Sequence, residues 1–567
     1  MAPLSVITEV VALDRPFDYA DNPALGSVGI GDRVRVELNG RSVRGWVVAE
    51  VVSDRVLKSV RKWLGYGPSP SLMDLVEWAS ARWCGPRARF LLAASPSRVV
   101  TSLPAAPVAG PLAVAVADRG AVRYSPGVVQ LAPTTDPLGV VLYAYESTRH
   151  CDGSLVVLVP SDSWAARLRG RLEQRGCAVA GPDQWDRMRA GWPVIVGSRG
   201  AAWCPTPRLA GVVVLDADDE AYVSSSQPTW DAVSVVRERA RRDEAPAWFT
   251  SMMPSPSLVG DAVYQRDADL VGGWPQVEVV DRRGGDPHDG ALSASALAAA
   301  HRALDGDETV AVAVVLQRLG TGRLIACDEC GELARCAVCA QGEEEVEGGL
   351  ACRERHEIRA RYCRHCGSTR LRARRAGVAT LARDVSAQLG QPVTEISATS
   401  DPAVPLARVV VGTTAVLRRV RRCSLVIVAD VDQYLLAARA SARRDVVYAV
   451  GSAGRLVGSR REGRGRVVIQ TRRGDDPVLD ALVRADFDAL VNEERATARV
   501  LGLAPYGAVA EITGPGALEF VAGLAGSPWR LSATPEGFVV RGADPEQLGR
   551  ALRSLPRPAA RVRIAVH

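Results

Sequence analysis

The chain has 567 residues, 47% of them hydrophobic, with a net charge of +6 and a sequence pI near 8.7. That length predicts three to five domains at roughly 150 residues each, while the lack of any uninterrupted apolar run of about 20 residues excludes a helical membrane span. The start, MAPLSVITEVVALDRP, has neither the basic opening nor the small-residue cleavage site of a signal peptide, so a cytoplasmic, nucleoid-associated protein with no membrane partner is expected. Mild basicity permits nucleic-acid binding without requiring it. Its make-up is unusual: of 70 Lys and Arg residues only Lys58 and Lys62 are lysine, a bias that a GC-rich genome would produce.

Residues 1–100 read as a small β-rich domain. DRVRVELNG and RSVRGWVVAEVV are two strand-like runs joined by Asn39-Gly40, a strong hairpin signal. Arg33, Arg35, Arg41, Arg44, Arg55, Lys58, Arg61 and Lys62 cluster here among Trp46, Trp63 and Tyr66. Cations beside aromatic faces suit a nucleic-acid end or single strand, although a solvated strand face over an ordinary core would look alike. A helix through PSLMDLVEWASARW closes the domain, with Ser69 or Ser71 placed to cap it. Residues 101–135, rich in Pro, Ala and Gly, read as a linker or reduced small module.

From 136 to 285 apolar strands alternate with helical stretches: GVVLYAY, SLVVLVP, PVIVGSRG and GVVVLDADDE as strands, WAARLRGRLEQRG and AVSVVRERARRD as helices. Buried strands spaced by helices indicate a parallel α/β layer. A second set fills 286–494, with strands in ETVAVAVVLQR, ARVVVGTTAVL, SLVIVADVDQYLL and GRVVIQT, interrupted by a cysteine-rich insertion at 327–366. Residues 495–567 alternate strand-like and helix-like segments and predict a compact α+β domain.

Seven of the twelve cysteines lie in the insertion. Cys327 with Cys330, Cys336 with Cys339, and Cys363 with Cys366 each have the two-residue spacing that points both sulfurs at one ion. Cys352 and His356 make a weaker fourth pair, and His365 competes for the eighth place. Eight ligands fill two closed tetrahedral sites, which are structural because no position is left for water. Two structural zinc ions are therefore expected, with disulfides or free thiols as the bland alternative. Cys84, Cys151, Cys177, Cys204 and Cys423 are scattered like reduced core residues.

With these segments in place, the chain resembles the PriA family of replication restart proteins, bacterial superfamily-2 DNA helicases. The resemblance rests on LDRPFDY at 13–19, the paired cysteines, RVVIQTRRGDDPVLDALVRADFDAL at 466–490 and VLGLAPYG at 500–507. It implies a 3′-end DNA-binding domain at 1–100, RecA-like helicase lobes at 136–285 and 286–494, and the family's C-terminal domain at 495–567. It also implies zinc pairing: Cys327, Cys330, Cys363 and Cys366 on one ion, Cys336, Cys339, Cys352 and His356 on the other. Phe17, Asp18, Gly40 and Lys58 correspond to the family's pocket for a 3′ end, where Asp accepts a hydrogen bond from the hydroxyl and Phe stacks on the base. The competing reading makes Phe17 core and Asp18 a turn cap.

The family's ATP machinery is eroded. A P-loop needs glycines to wrap phosphate, a Lys for the terminal phosphates and a Ser or Thr for magnesium, whereas 140–154, the segment expected there, reads VVLYAYESTRHCDGS. Both lysines lie in the first domain, and Arg149 is a poor substitute for a compact ammonium. VVVLDADDEAY stands for the family's acidic box, leaving Asp216 and Asp218; FTSMMPSP stands for its coupling segment; VGSAGR keeps Arg455 of an arginine box. These three residues form a vestigial nucleotide site, and ATP as a cofactor is in doubt. The expectation is a non-enzymatic replication restart protein that binds branched and single-stranded DNA at stalled forks and promotes primosome assembly, with other primosome proteins and single-stranded-DNA-binding protein as partners implied by the resemblance. The alternatives are an active ATP-dependent 3′ to 5′ helicase and a zinc scaffold that binds a protein partner.

Overall fold

The computed structural model describes residues 2–112, 123–283, 290–316, 324–352, 355–374, 377–397, 399–401, 403–437, 439–524 and 528–567. The first sheet is antiparallel and contains β1 (Leu4–Thr8), β2 (Phe17–Tyr19), β3 (Arg33–Leu38), β4 (Arg41–Glu50) and β5 (Lys62–Trp63) in the order β2-β1-β4-β3-β5. Period-two alternation sends Val34 and Val36 inward, where they join Leu4, Val6, Tyr19 and Val47, and leaves Arg35 outside. Asn39 (φ 48°) and Gly40 (φ 77°) make the two-residue turn that their type predicts. The sheet curls shut because Ala20 N–H donates to Lys58 O and Val60 N–H to Ala20 O, both at 3.0 Å. A small barrel results.

Helices Ser71–Arg82 and Arg87–Ala94 follow. Neither Ser69 nor Ser71 caps the first. Pro70 holds the cap position, and the two hydroxyls donate instead to Thr206 O and Pro207 O at 3.2 and 3.0 Å. Of the stretch expected as linker, residues 113–122 lie outside the described residues.

The first α/β sheet contains β6 (Gly127–Gln130), β7 (Ser154–Leu158), β8 (Val179–Ala180), β9 (Val194–Gly197), β10 (Leu209–Val214), β11 (Ala247–Ser251) and β12 (Gln265–Arg266), ordered β12-β6-β11-β10-β7-β9-β8. The pairings of β7 with β9 and β10, β8 with β9, and β10 with β11 are all parallel. Its first strand thus precedes residue 136. GVVLYAY, expected as a strand, lies within the helix Leu138–Thr148. A short apolar run fits a buried helix as well as a buried strand, and seven of this helix's eleven residues are buried.

The second α/β sheet begins with β13 (Gln276–Asp281) and β14 (Val312–Leu316). The cysteine module follows, with β15 (Leu324–Cys327), β16 (Glu343–Val346), β17 (Gly349–Cys352) and β18 (Leu371–Arg374); β15 pairs with β18 and β16 with β17, both antiparallel. The sheet resumes with β19 (Val393–Ile396), β20 (Val409–Gly412), β21 (Leu425–Asp430) and β22 (Arg466–Thr471) in the all-parallel order β13-β22-β21-β14-β20-β19. The boundary between lobes therefore falls before 276, not at 285. The last sheet is antiparallel: β23 (Ala508–Thr513), β24 (Arg530–Thr534), β25 (Gly537–Gly542) and β26 (Arg563–Val566), ordered β24-β25-β23-β26 and flanked by helices Ala517–Ala522 and Pro545–Ser554.

These elements form two compact units. The first joins residues 1–129, 136–265 and 498–567, and one apolar cluster runs through it from Ile7 and Trp46 by Leu75, Val156 and Val212 to Phe520 and Leu548. Polar ties reinforce it: Trp46 Nε1–H donates to Ser95 Oγ at 2.8 Å, Trp78 Nε1–H to Glu546 Oε1 at 2.6 Å, and Asp14 of LDRPFDY accepts from Arg87 and Arg553. The second unit holds 130–135 and 266–497, with its own core about Val312, Val409 and Ile427. Among the described residues no helix is long and apolar enough to cross a membrane.

Candidate metal centres and nucleic-acid interface

Each of the three Cys-x-x-Cys pairs is built by the same turn. The N–H of the residue after the second cysteine returns to the carbonyl of the first: Gly331 to Cys327, Ala340 to Cys336 and Gly367 to Cys363, at 2.9–3.0 Å. The first cysteine's N–H then donates five residues on, to Glu332, Gln341 and Ser368. Gly331, Ala340 and Gly367 all have positive φ, which costs a glycine little and an alanine more. The repeated geometry aims both sulfurs of a pair the same way.

Tertiary folding then joins the pairs. The ligand atoms of Cys327, Cys330, Cys363 and Cys366 form one group and those of Cys336, Cys339, Cys352 and His356 another, each within 4.8 Å throughout. Cys327 Sγ lies 3.6 Å from Cys366 Sγ, and Cys330 Sγ 3.6 Å from Cys363 Sγ. A tetrahedron with Zn–S bonds of about 2.3 Å has an S···S edge of about 3.8 Å, so the donors fit one ion. In the second group His356 Nδ1 lies 3.3 Å from Cys352 Sγ and 3.8 Å from Cys336 Sγ. His365 belongs to neither group and is exposed. Both groups can hold zinc, each with four protein donors.

A buried ion pair braces the second group, which spacing alone did not reveal. Glu343 faces Cys352 across β16 and β17. Its carboxylate takes the Arg359 guanidinium in a fork, with Arg359 Nε at 3.0 and 2.9 Å and side chains only 2% and 4% exposed. Arg359 also donates to Tyr362 O and pairs its backbone with Leu350.

On the barrel, Phe17 is half-buried against the core with Arg15 over its ring at 4.9 Å, and Asp18 is exposed and accepts from Ser5 Oγ at 3.0 Å. Asp18 therefore caps no turn, and Phe17 has one face in the core. Lys58 lies at the closure seam beside β2 and bonds Glu37 Oε1 at 2.6 Å; Arg61 reaches the other oxygen. Those two cations hold the Glu37 carboxyl below its ordinary range. Gly40 sits at the exposed turn three residues beyond Glu37.

Residues 140–154, the segment expected to hold phosphate, begin inside the helix Leu138–Thr148; the strand–turn–helix unit there is β6, residues 131–137 and that helix. Its turn reads LAPTTDP, also without Gly or Lys. Its helix start is supplied with the chain's own anion: Asp136 Oδ1 accepts from Leu138 N–H at 3.1 Å, and both carboxylate oxygens are taken by Arg171, Oδ1 at 3.0 Å. Burial would raise the Asp136 carboxyl, but Arg171 and the Leu138 N–H outweigh it and hold it below the usual range. An Asp two residues before a helix is an N-terminal signal that could have located the turn.

In the first unit Asp216 (φ 51°) donates its N–H to Thr250 Oγ1 at 3.0 Å, and Asp218 Oδ2 accepts from Ser251 Oγ and Ser255 N–H at 2.7 and 3.2 Å. The acidic box is thus bonded to the FTSMMPSP segment. In the second unit Arg455 Nε donates to Pro133 O at 3.1 Å.

The barrel with its hairpin-bearing cationic face is of a DNA-binding class: residues 5–96 match the family model of the PriA 3′DNA-binding domain. The chain is 24% identical over 372 residues to the replication restart protein PriA of Thermotoga maritima, covering 61% of this chain and 48% of that relative. It is 23% identical over 354 residues to its namesake in Haemophilus influenzae, covering 57% and 47%. The chain is thus similar to PriA proteins over part of its length, and it spans about half the length of the curated relatives it matches.

Among solved structures, S. cerevisiae Dbp5 bound to RNA and ADP BeF3 is 12% identical with a TM-score of 0.35, covering 77% of this chain and 98% of that one. A DEAD box protein from Methanococcus jannaschii gives 12% and 0.28, covering 64% and 86%. Those scores are too low to define a fold, and the two α/β lobes stand on their strand order.

Removing one partner of the buried Glu343–Arg359 pair strands a charge, at a cost of about 3–5 kcal/mol. Arg359→Ala should therefore accelerate hydrogen exchange across β16 and β17, and replacing both partners by apolar residues should restore much of the protection.

Proposed function

We propose that this protein binds branched DNA at stalled or abandoned replication forks and promotes assembly of the restart primosome, without unwinding DNA itself. The observation that carries the reading is the match of residues 5–96 to a 3′DNA-binding domain, on a barrel whose seam carries Asp18, Phe17 and Lys58. In this reading the 3′ hydroxyl of a nascent strand donates to the Asp18 carboxylate, the terminal base stacks on the outer face of Phe17 in the place that Arg15 now takes, and Lys58 with the Gly40 turn borders the pocket. Other primosome proteins and single-stranded-DNA-binding protein are the partners, and the protein works in the cytoplasm on the nucleoid.

Two structural zinc ions complete the chain. Cys327, Cys330, Cys363 and Cys366 hold one, and Cys336, Cys339, Cys352 and His356 hold the other; the ligand distances support this. Zinc here supplies folding energy to a module with only a small apolar core of its own.

The lack of a motor rests on the phosphate turn. Phosphoryl transfer depends on positioning and electrostatic stabilisation, and LAPTTDP offers neither a glycine cradle nor a lysine, while a carboxylate and Arg171 already engage the helix start. Asp216 and Asp218 in the first unit, and separately Arg455 in the second, then remain as structural groups that are vestiges of nucleotide machinery.

Three measurements test this. Asp18→Ala should weaken binding to a fork with a free 3′ hydroxyl about tenfold, one lost charge-assisted hydrogen bond of about 1.5 kcal/mol, and leave binding to a 3′-phosphorylated fork unchanged; equal affinities for wild type and variant on both forks would refute the pocket. Elemental analysis should find about two zinc ions per chain, falling to one in Cys327→Ser and in Cys336→Ser. Titration with Mg-ATP should show no binding and no DNA-stimulated hydrolysis, whereas turnover abolished by Arg455→Ala would establish a working helicase.

A further inference from the structure

The barrel carries a second feature, separate from the seam where Asp18 lies. Register places Lys62 of β5 opposite Arg35 of β3, and Arg35 opposite Arg44 of β4. All three residues are exposed while their neighbours Val34 and Val36 are buried, so the three cations form one row across adjacent strands on the outer face. Strands lie about 4.8 Å apart, which makes the row roughly 10 Å long. Like charges directly opposite each other destabilise a sheet.

The acids nearby neutralise the row only at Arg44. Glu9 is shared between Arg33 and Arg44, and Glu37 between Lys58 and Arg61. Arg35 and Lys62 have no carboxylate partner among the described residues. A row with two of its three cations unpaired favours an external polyanion with charges at short regular intervals. A DNA strand presents one phosphate about every 3.4 Å along its axis, so the row covers roughly three phosphate intervals. Lys62 is four residues of chain from Lys58, at most about 14 Å, or about four nucleotides.

We propose that Lys62, Arg35 and Arg44 are a phosphate track that holds the DNA backbone a few nucleotides from the strand end lodged beside Asp18. The track rests on the reading of the barrel as a DNA-binding domain. It acts by charge and is blind to sequence and to the chemistry of the end.

The test uses the full chain and a forked DNA duplex, with affinity measured over a range of NaCl concentrations. Replacing Arg35, Arg44 and Lys62 together by Gln should weaken binding at least tenfold at physiological salt. It should also lower the slope of log affinity against log salt by about 2.7, three contacts at about 0.9 each. The preference for a 3′-hydroxyl over a 3′-phosphate end should be unchanged, and the melting temperature should stay level or rise as repulsion is relieved. The pair Arg35→Lys and Arg44→Lys should keep the wild-type slope. An unchanged slope in the triple Gln variant, a fall in its melting temperature, or a loss of slope in the Lys pair would each overturn the track. Wild-type protein that binds no fork at all would instead remove the DNA-binding reading beneath it.

Discussion

Trp46 is fully buried where β4 of the barrel meets the helices of residues 71–94, and its indole N–H is bonded to Ser95. From there an unbroken apolar cluster continues through the first α/β sheet into the C-terminal sheet. Domains joined by small polar interfaces move relative to one another by default, and a large hydrophobic interface removes that freedom. The barrel is therefore not tethered to a motor-like body; it is part of the same packed solid. A DNA end bound at the seam, as proposed, would be held relative to the first lobe and the C-terminal domain as well.

The same economy governs the phosphate turn. A helix start exposes N–H groups and a partial positive charge, and it needs an anion. In nucleotide-binding proteins of this layout the ligand supplies it. Here Asp136 does so permanently, with Arg171 fixing the carboxylate. The acidic strand end is hydrogen-bonded through Asp218 to the end of β11 and the segment after it, contacts that serve the architecture of the lobe.

What was legible in the sequence divides along the length of the interaction. The cysteine turns and the Asn39-Gly40 hairpin are decided within a few residues, and both stand as the spacing indicates. Joining Cys330 to Cys363 across 33 residues is not a local matter, and its pairing came through the family resemblance. The helix Leu138–Thr148 reads as a strand in the sequence because its apolar face is so broad that neither period shows. Ser69 and Ser71 looked like caps, but Pro70 already fixes the helix entry and their hydroxyls found tertiary carbonyls. The union of both chain ends in one core depends on contacts such as Trp78 to Glu546, 468 residues apart. Nothing in either segment alone announces that partner. The Glu343–Arg359 pair was hidden for the same reason: each residue looks like surface charge until β16 and β17 fold over it.

The near-absence of lysine has a practical reach. Lys58 and Lys62 are the sole side-chain amines in the whole chain, and both stand exposed on the one barrel segment that borders the seam and the cationic row. Acylating reagents, amine-coupled fluorophores and enzymes that acetylate ammonium groups thus find their only internal targets on this small patch, so the molecule comes with a built-in address label on its DNA face.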